Sequence, residues 1–473
     1  MACAIPSFDM LPALDTLLLT LAPSWSPPFV VFLVVLVLGL ALVYFVVLEP
    51  AWNPLHSMPG PPPSHWFYGS LRDIVNTKWA DGSFPNPHLA WVQTYGGAVH
   101  YRVALNHQVL LTDPVALKHV FIAQGGIYPR THVTRGFFRD MLGGDGLLST
   151  EANVHAHQRK MLMPHFGHGK IKDFVHVFTT HAHQLQTTHL NAVADTTTPI
   201  DLHDCTLLTS TVTCENWLFV VFTKLTLDVI GMAAFSFDCG SLAGVNNHVV
   251  DAYKRLTKRH GAANFVAILY IPGYQKWPLP WLNEKRAAKH TLFAAVDDVI
   301  AAKLRAPRDP SRPVDLLDLM LDDHVGHHVT PEEARTHVMT FMLAGHETTS
   351  TTLSWVFALL AQHPDIEAKA RDEARAVVAG GGIGWSTVAE LKYITACIQE
   401  TLRLFPTIAQ AAMRVCTQDD LLPMSTGKPY AIPKGTSVVV NTGALHRNPK
   451  YWSRPHDFVP GSRDHNPPTD WTF

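Results

Sequence analysis

The sequence predicts a mainly α-helical fold with a small β portion, set behind one long apolar segment near the N-terminus. Three observations carry that expectation. Beyond Pro114 the apolar residues recur mostly at helical spacing. Strand-type residues gather in only two short stretches, near residues 100–114 and 436–441. No Gly/Ser-rich or charge-rich linker divides the 473 residues, a length that buries a large core.

The apolar segment comes first in the chain. Residues 29–48 read FVVFLVVLVLGLALVYFVVL, without charge or proline. About 20 residues make roughly 30 Å of helix, the thickness of a bilayer core. A secretory signal has a shorter apolar stretch and a basic start, whereas residues 1–48 hold no Lys or Arg. Residues 1–50 are therefore expected to be a single-pass anchor with its span at 29–48. A buried core helix is the alternative, weighed down by the lack of any polar face. Basic residues begin only after the span, at Arg72 and Lys78, and no N-x-S/T sequon occurs, so the remainder is expected to face the cytosol.

Composition narrows the rest. Lys plus Arg is 37 against 39 for Asp plus Glu, a net charge of -2, and nothing in that balance suggests nucleic acid, whose binders need a basic face. The six cysteines are scattered, with no C-x-x-C pair, and read as neither a disulfide framework nor a zinc site.

After the anchor, residues 51–64 contain MPGPPP, whose fixed φ angles predict a stiff hinge. Residues 65–473 then form one domain. A hairpin is expected over 100–114, turning at Asn106–His107. Helices are expected at 154–163, 287–305, 331–363, 364–378 and 388–404. The third is the best defined: Thr330 is a good N-cap, Pro331 suits the first helical position, Glu333 completes a capping box, and Pro364 ends it. Residues 206–222 lack either periodicity and read as an insertion between two regular segments, of the kind a translated intron leaves.

Three constellations carry chemistry. Ala344-Gly345-His346-Glu347-Thr348-Thr349-Ser350 puts small residues, an acid and hydroxyls midway along the long helix. Hydroxyls there bond back to carbonyls one turn earlier and bend the axis. Such a segment can hold a small polar ligand and pass protons; an ordinary kinked core helix is the plainer reading. His346-Glu347 begins H-E-x-x-H, but position 350 is Ser350, so a zinc site of that type fails. Glu400 and Arg403 lie three apart, on one helical face among apolar neighbours, and predict a buried ion pair that needs a third partner. His155 and Arg159 lie four apart with Lys160 following, two donors suited to a carboxylate, or simply a solvated basic face.

In their order, these features resemble the cytochrome P-450 family. MPGPPP resembles its proline-rich hinge. His155 with Arg159 is similar to its (W/H)xxxR pair, AGHETT to the (A/G)Gx(D/E)T(T/S) signature of its oxygen-binding helix, and ETLRLFP to its ExxR helix. Arg414 is similar in place to a further propionate-binding arginine. The resemblance implies the cytochrome P-450 fold. It also implies a haem cofactor (heme b, with its iron) held by His155, Arg159, Ala344, Gly345 and Arg414. Two electrons would come from NADPH through NADPH–cytochrome P-450 reductase, and one atom of O2 would enter the substrate. Glu347 and Thr348 would relay protons, while Glu400, Arg403 and Arg463 would be structural.

The motif style resembles fungal family members of secondary metabolism. Membrane lipid is an implied partner, and the implied location is the endoplasmic-reticulum membrane. Residues 264–282, NFVAILYIPGYQKWPLPWL, are apolar and aromatic and predict a channel lip bearing Trp277 and Trp281, suited to lipid and to a lipophilic small-molecule substrate.

Three departures are visible. The family's FxxGxRxC loop, which supplies the axial thiolate, would follow directly after Phe473, and none of the six cysteines lies in such a context. The C-terminal part of the fold is therefore expected to be missing. The segment from Phe458 to Arg463 lacks the family's Glu and places its arginine one position late. Residues 206–222 have no family counterpart. The alternative function is an inactive relative that acts as a membrane-tethered binding protein; a His-rich metal-binding protein ranks third.

Overall fold

The computed structural model describes residues 27–43, 52–76, 84–104, 106–191, 217–245, 247–258, 264, 267–268, 271, 273–305, 314–321, 329–410 and 412–461. The chain forms two compact units, Met1–Ser57 and Met58–Phe473.

In the first unit, helix α1 (Pro27–Val43) has 17 residues, all apolar apart from its two leading prolines and one glycine. At 1.5 Å per residue it reaches about 26 Å, short of a bilayer core of roughly 30 Å. Among the described residues no helix is long and apolar enough to cross a membrane. That finding corrects the expected span at 29–48 and, with it, the single-pass endoplasmic-reticulum placement. The run of apolar letters is longer than the helix described from it, and residues 44–48 lie outside the described part.

The second unit is mainly helical. Its early elements are α2 (His88–Tyr95), β1 (Ala98–Val103), β2 (Asn106–Leu111), α3 (Pro114–Lys118), α4 (His132–Leu142), α5 (Ala152–Leu162) and α6 (Val175–Leu185). There follow α7 (Trp217–Phe235), α8 (Asn247–Thr257), α9 (Pro280–Arg305), α10 (Pro331–Gln362), α11 (Pro364–Ala379) and α12 (Lys392–Leu404). Four short strands, β3 (Ala412–Val415), β4 (Asp420–Leu422), β5 (Tyr430–Ile432) and β6 (Ser437–Val440), precede α13 (Thr442–His446).

The main core lies among α7, α8, α9 and α10, where Leu227, Tyr253, Leu292, Val338 and Met342 are buried. Burying a side chain of this size contributes about 1.5–3 kcal/mol. Helix α10 has 32 residues and starts as its sequence dictates. The Thr330 hydroxyl accepts from Glu333 N at 3.2 Å, and the Glu333 carboxylate accepts from Thr330 N at 2.9 Å.

Helix α7 takes in the last part of the 206–222 stretch, whose sequence shows no periodicity. Trp217 to Phe222 form its first turns, and Val221 and Phe222 are buried. A helix covered on several sides carries no amphipathic stripe for periodicity to detect. Residues 206–216 lie outside the described part.

The helix expected at 388–404 is instead two. A short one spans Trp385–Val388, and α12 begins only at Lys392. The break is stabilised from another element: the Glu373 carboxylate on α11 accepts from Tyr393 N at 2.8 Å and Ile394 N at 2.9 Å. It thus satisfies two of the free donors at the start of α12.

The larger sheet has the order β1-β2-β6-β3. β1 and β2 are antiparallel, β2 and β6 parallel, and β3 and β6 antiparallel. Val103 pairs with Asn106 and Arg102 with His107, so Asn106 and His107 belong to β2 and the chain reverses before them, with Ala104 at φ 50°. Register follows the buried face, and Val109, Leu110 and Leu111 are all fully buried. The proline-rich segment lies along β1, where Pro59 O accepts from His100 N at 3.0 Å. A Cβ at Gly60 would strike the His100 carbonyl, so this close approach needs glycine.

Candidate functional site

The candidate site residues lie on three elements: α5, the middle of α10, and the edge strand β3. On α5 the four-residue spacing places His155 and Arg159 on one face. Arg414, on β3, forms an isolated bridge with Arg130, which lies in the turn leading into α4. His155 and Arg414 feel the surrounding cations. Burial lowers the His155 pKa first, and Arg130, Arg159 and Arg414 lower it further, against an opposing effect of Glu151. Arg414 is lowered by burial and then by Arg130, again opposed by Glu151.

Arg130 and Arg414, both partly buried, thus lie with the exposed Arg159 around His155 and a single carboxylate, Glu151. That carboxylate is already engaged, since Glu151 accepts from Arg130 N at 3.0 Å and Arg130 Nη1 at 3.1 Å. Excess positive charge of this kind, partly buried, suits an anionic ligand with carboxylate oxygens. His155, Arg159 and Arg414 were named from sequence. Arg130 was missed, because no helical spacing or motif marks it; only the β-bridge brings it alongside Arg414.

On α10, Ala344 and Glu347 are exposed, Thr348 is half-buried and His346 is buried. The Thr348 hydroxyl donates to Ala344 O at 2.6 Å, the back-bond expected for a helical threonine. Its oxygen can still accept a hydrogen bond from a small polar ligand. His346 points into the core: Nδ1 donates to Met342 O at 2.5 Å, and its ring packs 4.6 Å from that of Tyr253. Burial lowers its pKa, so it stays neutral. Gly345 turns towards α7. A Cβ there would lie 2.9 Å from Ile230 Cδ1, so its small size serves the crossing of α7 and α10.

Behind this face, Glu400 and Arg403 form a buried pair, 7% and 5% exposed. Arg403 Nε and Nη2 each donate to the Glu400 carboxylate at 2.8 Å. Nη1 donates to His446 O at 2.9 Å and Pro455 O at 3.0 Å, and Nη2 to Asp457 O at 3.0 Å. All the N–H groups of the guanidinium are satisfied. Glu400 also accepts from Val459 N at 3.1 Å. The third partner is therefore backbone, supplied by residues 446–457. Arg463, named from sequence for that role, lies outside the described residues.

Cys239, Cys397 and Cys416 are buried thiols whose pKa values burial raises, Cys239 to about 12 and Cys397 to about 11. They are packing groups; a metal-binding thiolate needs the opposite shift. In the lip, Trp277 is exposed and Trp281 partly buried. Arg286 holds the lip by donating to Gln275 O at 2.8 Å and Trp277 O at 2.9 Å.

The family model described as Cytochrome P450 matches residues 59–462. The cytochrome P450 monooxygenase 205 of Postia placenta is 26% identical over 438 residues, covering 86% of this chain and 76% of that protein. Cytochrome P450 4F3 of Rattus norvegicus is 27% identical, covering 86% and 75%. The leukotriene-B4 omega-hydroxylase 3 of Mus musculus is 25% identical, covering 94% and 80%. The cation cradle, the central helix and the buried Glu–Arg pair thus sit within a match that takes in most of the chain. The chain belongs to the cytochrome P450 family, a family of haem monooxygenases.

Proposed function

We propose that the domain at 65–473 is a catalytic domain that binds haem through Arg130, His155, Arg159 and Arg414 and oxygenates a lipophilic small molecule in secondary metabolism. The observation that carries this reading is the excess of partly buried positive charge over the single carboxylate of Glu151. The two propionates of haem are the anions such a cradle would take. When bound, haem supplies the iron at which O2 is reduced, with electrons delivered by a reductase.

The remaining chemistry falls to this chain's own residues. Arg130, Arg159 and Arg414 would neutralise the anionic edge of the cofactor, and His155, whose pKa burial and these arginines lower, would orient it as a neutral hydrogen-bond donor. Ala344, with a single methyl group, keeps the exposed face of α10 low. Thr348 offers its hydroxyl oxygen as a hydrogen-bond acceptor on that face, and Glu347 beside it is the acid that exchanges protons with solvent. Glu400 and Arg403 hold α12 against residues 446–459. A substrate with an apolar chain agrees with the lip around Trp277 and with the lipid named for the mouse relative.

The test is to express the natural protein with haem supplied and to measure bound haem. The protein is then incubated with NADPH, NADPH–cytochrome P450 reductase and a panel of lipophilic substrates under 18O2. Product carrying one 18O atom is the expected result. Haem-loaded protein that incorporates no 18O into any substrate would sink the catalytic reading.

A further inference from the structure

We propose that Tyr128, Asp420 and His119 form a positioning clamp that holds Arg130 and Arg414 beside each other, where both would meet a haem propionate. This rests on the reading of those arginines given above. The segment 127–130 runs beside 414–417 as an irregular pair. Val415 N donates to Pro129 O at 2.9 Å, Thr417 N donates to Ile127 O at 2.9 Å, and Arg130 bridges to Arg414. The two arginines therefore face each other across paired backbones, and like charges directly opposite are destabilising. Each backbone segment is short, and Glu151 compensates only part of the charge.

The counterweight lies beside the two arginines. Tyr128, two residues before Arg130, is 1% exposed and donates its hydroxyl to Asp420 Oδ2 at 2.6 Å. His119 Nε2 binds the same oxygen at 2.9 Å. Asp420 opens β4, six residues after Arg414, and Cys416 between them is fully buried, its thiol donating to Gln418 O at 2.8 Å. Three chain segments thus meet on one carboxylate oxygen. An apolar trio would fill the same volume without the cost of desolvating a carboxylate. What the polar trio adds is direction: it fixes how far the 127–130 and 414–420 segments can part. Burial works to raise the Asp420 pKa, but the bonds from Tyr128 and His119 outweigh it and lower it on balance. The carboxylate therefore stays ionised and keeps both donors.

The test separates positioning from bulk stability by comparing two ligands. Haemin and its dimethyl ester share the macrocycle, but only haemin carries propionate charge. Each is titrated into the protein and followed by quenching of tryptophan fluorescence. The native protein binds haemin more tightly than the ester. Tyr128→Phe, which keeps the ring in the core, weakens haemin binding about tenfold, the scale of one hydrogen bond to a charged group, and leaves ester binding unchanged. Asp420→Asn does the same, while His119→Gln, which keeps a donor, retains the preference. Equal losses for both ligands, or no loss in Tyr128→Phe, would overturn the clamp. If the native protein itself shows no preference for haemin over the ester, the propionate reading of Arg130 and Arg414 falls, and the clamp with it.

Discussion

Replacing Arg403 gives the sharpest test of how this molecule is held together. In the native structure its guanidinium makes two bonds of 2.8 Å to Glu400 and three of 2.9–3.0 Å to the carbonyls of His446, Pro455 and Asp457. It also lies over the Trp452 ring, 5.0 Å from the centroid. Arg403→Met removes all five guanidinium donors and leaves Glu400, at 7% exposure, without its cationic partner, with Val459 N still donating to it. Breaking a buried pair costs about 3–5 kcal/mol. Three carbonyls left short of a donor add roughly 1 kcal/mol or more each where water cannot reach them. The sum, about 6 kcal/mol or more, rivals the whole stability of a domain, typically about 5–15 kcal/mol.

Arg403→Lys keeps the charge but brings three mobile donors instead of a rigid fork. It is expected to cost about half as much. The assay is urea unfolding followed by near-UV circular dichroism, with Glu400→Gln and the double variant completing a cycle. The cycle should show strong coupling, with the double variant losing much less than the sum of the singles. An Arg403→Lys protein within about 1 kcal/mol of native would refute the reasoning, because it would mean the backbone acceptors do not need the guanidinium geometry.

Three further outcomes follow from the geometry. Burial lowers the His88 pKa from 6.5 to about 4, so protonation favours the unfolded chain. Its contribution is intact above pH 6.5 and is lost as pH falls towards 4, about 2 kcal/mol by pH 5. His88→Phe should therefore lose less stability between pH 7.5 and pH 5 than native protein in urea melts; equal losses would contradict the assignment. At Gly345, Ala gains about 1 kcal/mol of helix propensity but overpacks against Ile230 Cδ1 at 2.9 Å, for which about 1–3 kcal/mol is usual. Gly345→Ala should destabilise native protein slightly and stabilise an Ile230→Ala background, which removes both Cδ1 at 2.9 Å and Cγ1 at 3.0 Å; identical effects in the two would show that the crossing of α7 and α10 is not tight there. Thr330→Ala removes the acceptor for Glu333 N and should lower stability by about 1 kcal/mol, read as a fall in thermal midpoint that Thr330→Ser does not show.

The sequence by itself determined whatever local chemistry controls. Thr330, Pro331 and Glu333 specify the start of α10, and Pro364 its end, because capping groups and breakers act within one turn. The pairs His155/Arg159 and Glu400/Arg403 share a face because helical spacing places them there. The family itself was legible from the order of such motifs. Wherever a partner lies far along the chain, only the tertiary structure decided.

The acceptors of Arg403 sit 43 to 54 residues away, on backbone that carries no side-chain signal. Arg130 joins the cradle through a bridge to Arg414, and Asp420 reaches Tyr128 across 292 residues. Gly345 marks a thin point of α10 in the sequence, and only the fold shows that Ile230 lies against it. The apolar run at 29–48 is longer than the helix described from it, and Trp217 to Phe222 show no periodicity along the sequence although they open a core helix. In each case the deciding quantity is a distance or a burial between separate segments, which composition and periodicity along one segment do not contain.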